Sequence, residues 1–223
     1  VTGLPPETQG ELDAPELVGA VPRVPPDTVI ESRALAWIAP YSQALHLERA
    51  RDWLVYLDPT ASLEMRLAVV THDIERMFPG GPVFDKRRGR WDDPHYLYAH
   101  ASRSADLVGR WLLEQGGAVD GLSVSEVDRL VTLHEFGGLD GADLVQAADS
   151  LSFLETLQDT VSGWVLGGEC DVSQARAKYA YTADRIRVAE ARRLAEPLLA
   201  GALTALDEAA AHGDQSAGRS GAN

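Results

Sequence analysis

Leu67-Ala-Val-Val-Thr-His-Asp-Ile-Glu-Arg-Met-Phe78 is the stretch on which the reading of the fold turns. Leu67, Ala68, Val69, Val70, Ile74, Met77 and Phe78 make it apolar on almost every side, and a helix that is hydrophobic all round belongs inside a domain. Its centre nevertheless carries His72 and Asp73, groups that are costly to bury unless they are paired or bound to metal. Adjacent helical positions point about 100° apart, so the two cannot share a face as i,i+4 partners do. A metal centre lying over that edge resolves the conflict. Imidazole supplies a neutral nitrogen, and carboxylate supplies charge and two oxygens, enough to bridge two ions. A His-Asp doublet is common by chance, so the other ligands must come from elsewhere in the chain.

Thr60-Ala-Ser62, with Glu64 just beyond, opens this central helix, and Pro79-Gly-Gly-Pro82 is expected to close it. Upstream, Asp27 is placed to cap a first helix to Ala39, which Pro40 ends. A second helix from Ser42 to Leu57 puts His46, Ala50, Trp53 and Leu57 at i, i+4, i+7 and i+11, with His46 on the buried stripe. Downstream, residues 79–94 form a long basic loop, of a length that in a domain is functional or disordered. Pro94 starts a helix to Gln115 with Leu97, His100, Ser104, Leu107 and Trp111 on one stripe. His95 is out of that phase and reads as a helix-start residue, with second-shell donor or substitute ligand as the alternatives. Ser123 and Glu126 make a capping-box pattern for a helix that carries Val127, Leu130, Val131 and His134. A helix from Asp140 to Trp164 surrounds Asp149 with Leu144, Val145, Ala148, Leu151, Phe153 and Leu154. After Gly167-Gly168, a last helix from Val172 to Ala211 carries Lys178, Tyr179, Tyr181, Arg185 and Arg187. With no repeat and no strand pattern, the expected fold is all-α. Residues 1–26 are an irregular arm, 27–211 one helical domain, and 212–223 a disordered tail.

The 223-residue length and 45% hydrophobic composition fit one globular domain. No apolar run approaches the roughly 18 residues of a membrane span, and the N-terminus lacks a signal-peptide pattern. The single Cys170, in a Gly-Gly-Glu-Cys-Asp turn without a nearby histidine, allows no intramolecular disulfide and has no catalytic context. The expected location is the cytoplasm, with no membrane partner, as a monomer or homodimer. A formal charge of −14 argues against a nucleic-acid polymer as partner. It makes the local cluster Lys86-Arg87-Arg88-Gly89-Arg90 informative, as a loop that attracts a small anion or one that is merely solvated. Lys86 and Lys178 are the only lysines.

Four of the six histidines, His46, His72, His100 and His134, lie at buried-phase positions on four different helices, and Asp73 and Asp149 sit in apolar surroundings. Left unpaired, such groups would cost about 1–3 kcal/mol each, a large share of a domain's stability. Six together have the number and kind of donors for a two-metal site.

In order, His46, His72-Asp73, His100, His134 and Asp149 make the pattern H…HD…H…H…D. Over roughly residues 42–157 the chain thereby resembles the HD-domain superfamily in its six-ligand, dinuclear form. It is also similar to a less characterised group of bacterial HD-like proteins in His100-Ala-Ser-Arg-Ser-Ala and Ala148-Asp-Ser-Leu-Ser-Phe-Leu-Glu155. The resemblance implies a helical bundle around a buried site for two divalent transition-metal ions, iron or manganese first, with zinc, cobalt or nickel also compatible. It implies that His46, His72, Asp73 and Asp149 hold one ion, and that Asp73 bridges to a second held by His100 and His134. The implied activity is phosphohydrolysis of a small phosphorylated metabolite or nucleotide. The superfamily's dinuclear iron oxygenases, which cleave C–C or C–P bonds, share the same ligand order and stand as the alternative.

Beyond the ligands, Asp73 and Glu75 are the candidates for catalytic roles. Glu75 and Arg76 read either as acid/base and anion anchor or as an ion pair at a helix end. Lys86, Arg87, Arg88 and Arg90 are candidates for binding an anionic substrate. So are Lys178 and Arg185, seven apart on one helix face. A surface salt bridge is the plainer reading of that last pair. Glu135 reads as a solvent-facing neighbour of His134. Tyr96, Tyr98, Tyr179 and Tyr181 read as core or rim aromatics.

Overall fold

A computed structural model describes residues 21–119 and 121–220. Among them there are helices and no strands, as the sequence pattern requires. In chain order, the α-helices are α1 (Val29–Ile38), α2 (Ala44–Leu57), α3 (Leu63–Thr71), α4 (Pro94–Leu113), α5 (Val124–Leu133), α6 (Ala142–Thr156), α7 (Gln158–Leu166), α8 (Val172–Asp184) and α9 (Ala189–Ser220).

The short α3 occupies the middle. Leu67, Ala68, Val69 and Val70 are all fully buried, and α3 packs against α1, α2, α5 and α6. α2 lies on α6, α4 on α5, and α9 covers α6, α7 and α8. The pairing of α2 with α6 is polar as well as apolar. His46 meets Ser152 and Arg49 meets Glu155, both pairs 106 positions apart, so the two helices run in the same direction. Arg49 also bonds Asp52 at 2.8 Å and the Val21 carbonyl at 3.0 Å, and Trp53 Nε1 donates to Glu155 at 2.7 Å. The described part of the N-terminal arm, from Val21, is irregular. It is strapped to α2 by Arg51, which donates to the Val24 and Pro25 carbonyls and pairs with Glu31 at 2.7 Å. Residues 1–20 lie outside the described residues.

Several boundaries differ from the sequence reading, each through a partner distant in the chain. Thr28 caps α1, accepting from the Glu31 N–H, while Asp27 is taken by Arg66 at 2.7 Å. Ser123 caps α5 through the Glu126 N–H, but no capping box forms. The Ser123 N–H donates instead to Glu64, and the Glu126 carboxylate pairs with Arg129. The helix expected from Asp140 to Trp164 breaks at the buried Leu157 (φ −104°, ψ 19°), which lets α7 turn onto α9. The long last helix is two, because Arg187 reaches back to the Phe136 carbonyl and Arg192 takes the Ile186 carbonyl at 2.7 Å. Residues 212–220, expected as a disordered tail, continue α9 to Ser220, and 221–223 lie outside the described residues.

The central correction concerns the doublet. α3 does not run through it to Pro79 but stops at Thr71, with His72 as its C-terminal cap residue. Asp73 (φ −100°, ψ 11°) then leads into a 3-10 turn, Ile74–Met77. Leaving the helix at this point turns His72 and Asp73 toward one centre, which a continuous helix would not do.

Candidate metal centre

Each of the four histidines has its Nδ1 engaged away from the centre. His72 and His134 solve the problem identically, as the residues that end α3 and α5. Their Nδ1 atoms lie 2.7 Å from the Val69 carbonyl and 2.6 Å from the Val131 carbonyl, three residues back in each case. A carbonyl can only accept, so these nitrogens carry the proton and donate it. His100, within α4, has Nδ1 2.8 Å from Glu75 Oε1. His46 Nδ1 lies 3.0 Å from Ser152 Oγ, and that hydroxyl donates its proton to the His46 carbonyl at 2.7 Å. Ser152 Oγ must therefore accept from Nδ1. All four imidazoles are thus protonated at Nδ1, with Nε2 turned toward the centre, the arrangement that orients histidine for metal binding.

Those Nε2 atoms converge. The rings form a chain from His46 through His72 and His134 to His100, with centroids 5.4, 4.8 and 5.4 Å apart. Asp149 Oδ1 lies 3.2 Å from both His46 Nε2 and His72 Nε2. Asp73 Oδ1 lies 2.8 Å from His100 Nε2, out of line for a hydrogen bond. Ligand atoms of three sets fall within 4.8 Å of one another: His46, His72 and Asp73; His72, His134 and Asp149; Asp73, His100 and His134. The first set holds three of the four residues expected for one ion and lacks Asp149, the third holds the three expected for the other, and the second crosses between them. His100 Nε2 and His134 Nε2 are buried without a hydrogen-bond partner, an arrangement that a native interior avoids unless the atom serves another purpose. Four nitrogen donors, two of them with orphaned lone pairs, and two carboxylates fit a metal ion. The buried His/Asp clusters could hold one.

The second carboxylate oxygens face cations. Asp73 Oδ2 meets Arg76 Nε at 3.0 Å. Asp149 Oδ2 is paired with Arg185, which also pairs with Glu135 and donates to Ser150 Oγ at 2.9 Å. Burial works against ionised Asp73 and Asp149, but these cations and the imidazoles hold both well below the usual carboxylate range. Burial also opposes charge on His72, yet Asp149 and Asp73 raise it to about 9, while burial of His134 lowers it to about 4. Positive charge is therefore favoured between the two carboxylates, where a metal cation would replace the proton.

An open-mouthed cavity lies over this cluster. Of the anion-binding candidates, Lys86, Lys178 and Arg185 line it. Arg87, Arg88 and Arg90 do not. Arg87 is exposed and donates to the Gly168 carbonyl, Arg88 pairs with Asp85 at 3.2 Å, and Arg90 opens onto a separate surface depression with Arg88. They face outward because the loop docks through Lys86 and Trp91, whose Nε1 donates to the Gln174 carbonyl at 2.9 Å. His95 is exposed at the start of α4, its N–H donating to Asp93.

Glu75 also stands elsewhere than a catalytic residue should. It is buried behind His100 and does not line the cavity. Nor does it pair with Arg76, which goes to Asp73. Its role is to hold His100, and the chain is built around that contact. A Cβ on Gly81 would run into Glu75 Oε2. Gly81→Ala is therefore expected to push Glu75 off His100 and weaken metal binding by about 10–100-fold, the usual cost of losing a ligand's supporting partner. Titration of the variant with manganese, beside a thermal melt, checks this, and unchanged affinity would contradict it.

Sequence reasoning missed three features. Glu135 is buried rather than solvent-facing, because Arg185 reaches it from fifty positions away. Ser152, which sets the tautomer of His46, was detectable as the i,i+3 neighbour of Asp149 on one helix face. Trp91, in an irregular loop, gave no periodic signal at all. No family model matches the chain, and no curated protein or solved structure is significantly similar to it.

Proposed function

We propose that this protein is a metal-dependent phosphohydrolase, similar to the HD superfamily in its ligand order and acting on a small phosphorylated compound. The observation that carries the reading is the placement of charge. In a chain of formal charge −14 with two lysines, both Lys86 and Lys178 line the cavity over the six ligand residues, together with Arg76 and Arg185. An anionic substrate gives a reason to gather both lysines there.

His46, His72, Asp73 and Asp149 would hold one ion, and Asp73, His100 and His134 a second. Two such ions supply a hydroxide nucleophile near neutral pH and neutralise charge on phosphoryl oxygens. The chain's own residues do the remainder. Lys178, half-buried, is lowered to about 8 by burial against the pull of Glu135, so it is still largely protonated at neutral pH and can hold an anion. Glu135 lines the cavity with Oε1 3.7 Å from His134 Nε2, held as a carboxylate by Arg185. Phe84, Trp91 and Phe153 shield the site from bulk water.

Elemental analysis of protein purified without added metal, followed by phosphate release from a panel of phosphate esters, tests the proposal. Bound transition metal is expected, with release abolished by chelator and restored by metal. Silence across the panel would overturn the reading. Oxygen uptake by iron-loaded protein without phosphate release would replace it with an oxygenase.

A further inference from the structure

The cavity carries less free positive charge than its cation count implies. Arg185 is neutralised by Asp149 and Glu135, Arg76 by Asp73 at 3.0 Å, and Lys86 by Glu169 at 2.8 Å. Lys178 alone of the four has no ion-pair partner among the described residues. Its Nζ lies instead over Phe153, Tyr181 and Trp91, at 4.8, 5.3 and 5.8 Å from the ring centroids.

Part of the wall is a continuous run of aromatic rings, beside Gln43, Leu97 and Leu157. Tyr96 lies parallel to the His100 ring at 6.0 Å, Phe84 is 4.7 Å from Tyr96 and 5.0 Å from Trp91, and Trp91 stacks on Trp164 at 5.9 Å. These rings lead from a ligand imidazole out to the far side of the cavity.

We propose that the substrate is a phosphomonoester with a flat, apolar leaving group, of the aryl monophosphate class. The proposal rests on the hydrolase reading and narrows it. A single phosphoryl group at the ligand cluster leaves one free ammonium, Lys178, for the remaining charge. A polyphosphate would bring further anionic groups to a wall whose other cations already face carboxylates. A sugar phosphate would set hydroxyls against Phe84, Phe153 and Trp91, whose Nε1 is already taken by the Gln174 carbonyl. A flat ring gains contact along the run of rings. Hydrolysis would join the water oxygen to phosphorus, break the ester P–O bond, and pass one water proton to the departing phenolate, giving a phenol and inorganic phosphate.

The test compares phenyl phosphate, glycerol phosphate and adenosine triphosphate on metal-loaded protein. It also follows quenching of tryptophan fluorescence by phenylphosphonate, which has no ester bond to cleave. The expected result is a kcat/KM for phenyl phosphate on the order of tenfold above the other two, the ratio one aromatic contact gives, together with saturable quenching. Trp164→Ala should narrow the ratio between the two monoesters, and Trp164→Phe should restore it. Equal turnover of the monoesters, or preference for the triphosphate, overturns the selectivity and leaves the hydrolase reading intact. Quenching with no phosphate from any ester overturns the hydrolase reading and retains the aryl site. Neither quenching nor release overturns both.

Discussion

Asp73→Ala is expected to strip the protein of metal altogether. Asp73 contributes to two of the three ligand sets, and its Oδ1 is the oxygen that lies nearest His100 Nε2. Losing it removes a buried negative charge from between His72, His100 and Arg76, so each cation would have to bind among positive or neutral groups. The loss should exceed the about 10–100-fold that removal of a mere supporting residue costs. Phosphate release should disappear with it. Elemental analysis of the purified variant, with a thermal melt to show that the chain still folds, is the measurement. His134→Ala is the useful comparison, because the set of His46, His72 and Asp73 does not include it, and it should retain about one ion where Asp73→Ala retains none. A variant lacking Asp73 that still carried a full complement of metal would remove the bridging role from the proposal.

The second large effect concerns stability. Arg185→Ala should destabilise the metal-free protein by about 3–5 kcal/mol, the cost of removing one partner from a buried charge cluster. Arg185 is 8% exposed at its side chain, and it leaves behind Glu135 and Asp149 at 7% and 6%. It also loses the bond to Ser150 Oγ. The loss should shrink when metal is bound, because a cation then takes part of the Asp149 charge. Urea denaturation with and without metal measures both. A change within about 1 kcal/mol, the range of exposed pairs, would show that water reaches the cluster.

The same cluster sets a pH signature. Burial favours protonated Glu135, but Arg185 outweighs it and holds the carboxyl at about 2, below its ordinary 4.5. A depressed carboxyl contributes stability that is in place above its unfolded pKa and is lost as pH falls through the folded one. Stability of the wild-type protein should therefore decline between about pH 4.5 and 2, and Arg185→Ala should flatten that part of the profile.

Much of the candidate site was legible in the chain, and the reason is burial. Helical phase put His46 and His100 on apolar stripes and Asp149 among apolar neighbours, and all three are buried. Periodicity reports which way a side chain points from its own helix, which is a local property. His134 and His72 were placed correctly in depth but wrongly in setting, since both end helices rather than ride within them. The carbonyls of Val69 and Val131 that engage them belong to the preceding turn, so this too is local, but hydrophobic pattern does not record where a helix stops.

The sequence by itself determined an all-helical chain, a central apolar segment, and six imidazole and carboxylate side chains turned inward. Apolar periodicity, together with the cost of burying imidazole and carboxylate, is enough for that much. Only the tertiary structure decided that Lys86 enters the cavity while Arg87, Arg88 and Arg90 face away, that Glu75 supports His100, and that Arg185 joins Glu135 to Asp149. These are contacts between residues tens of positions apart, or within a loop of irregular backbone. The direction of each side chain there is set by what it meets across space, and no local period carries that information.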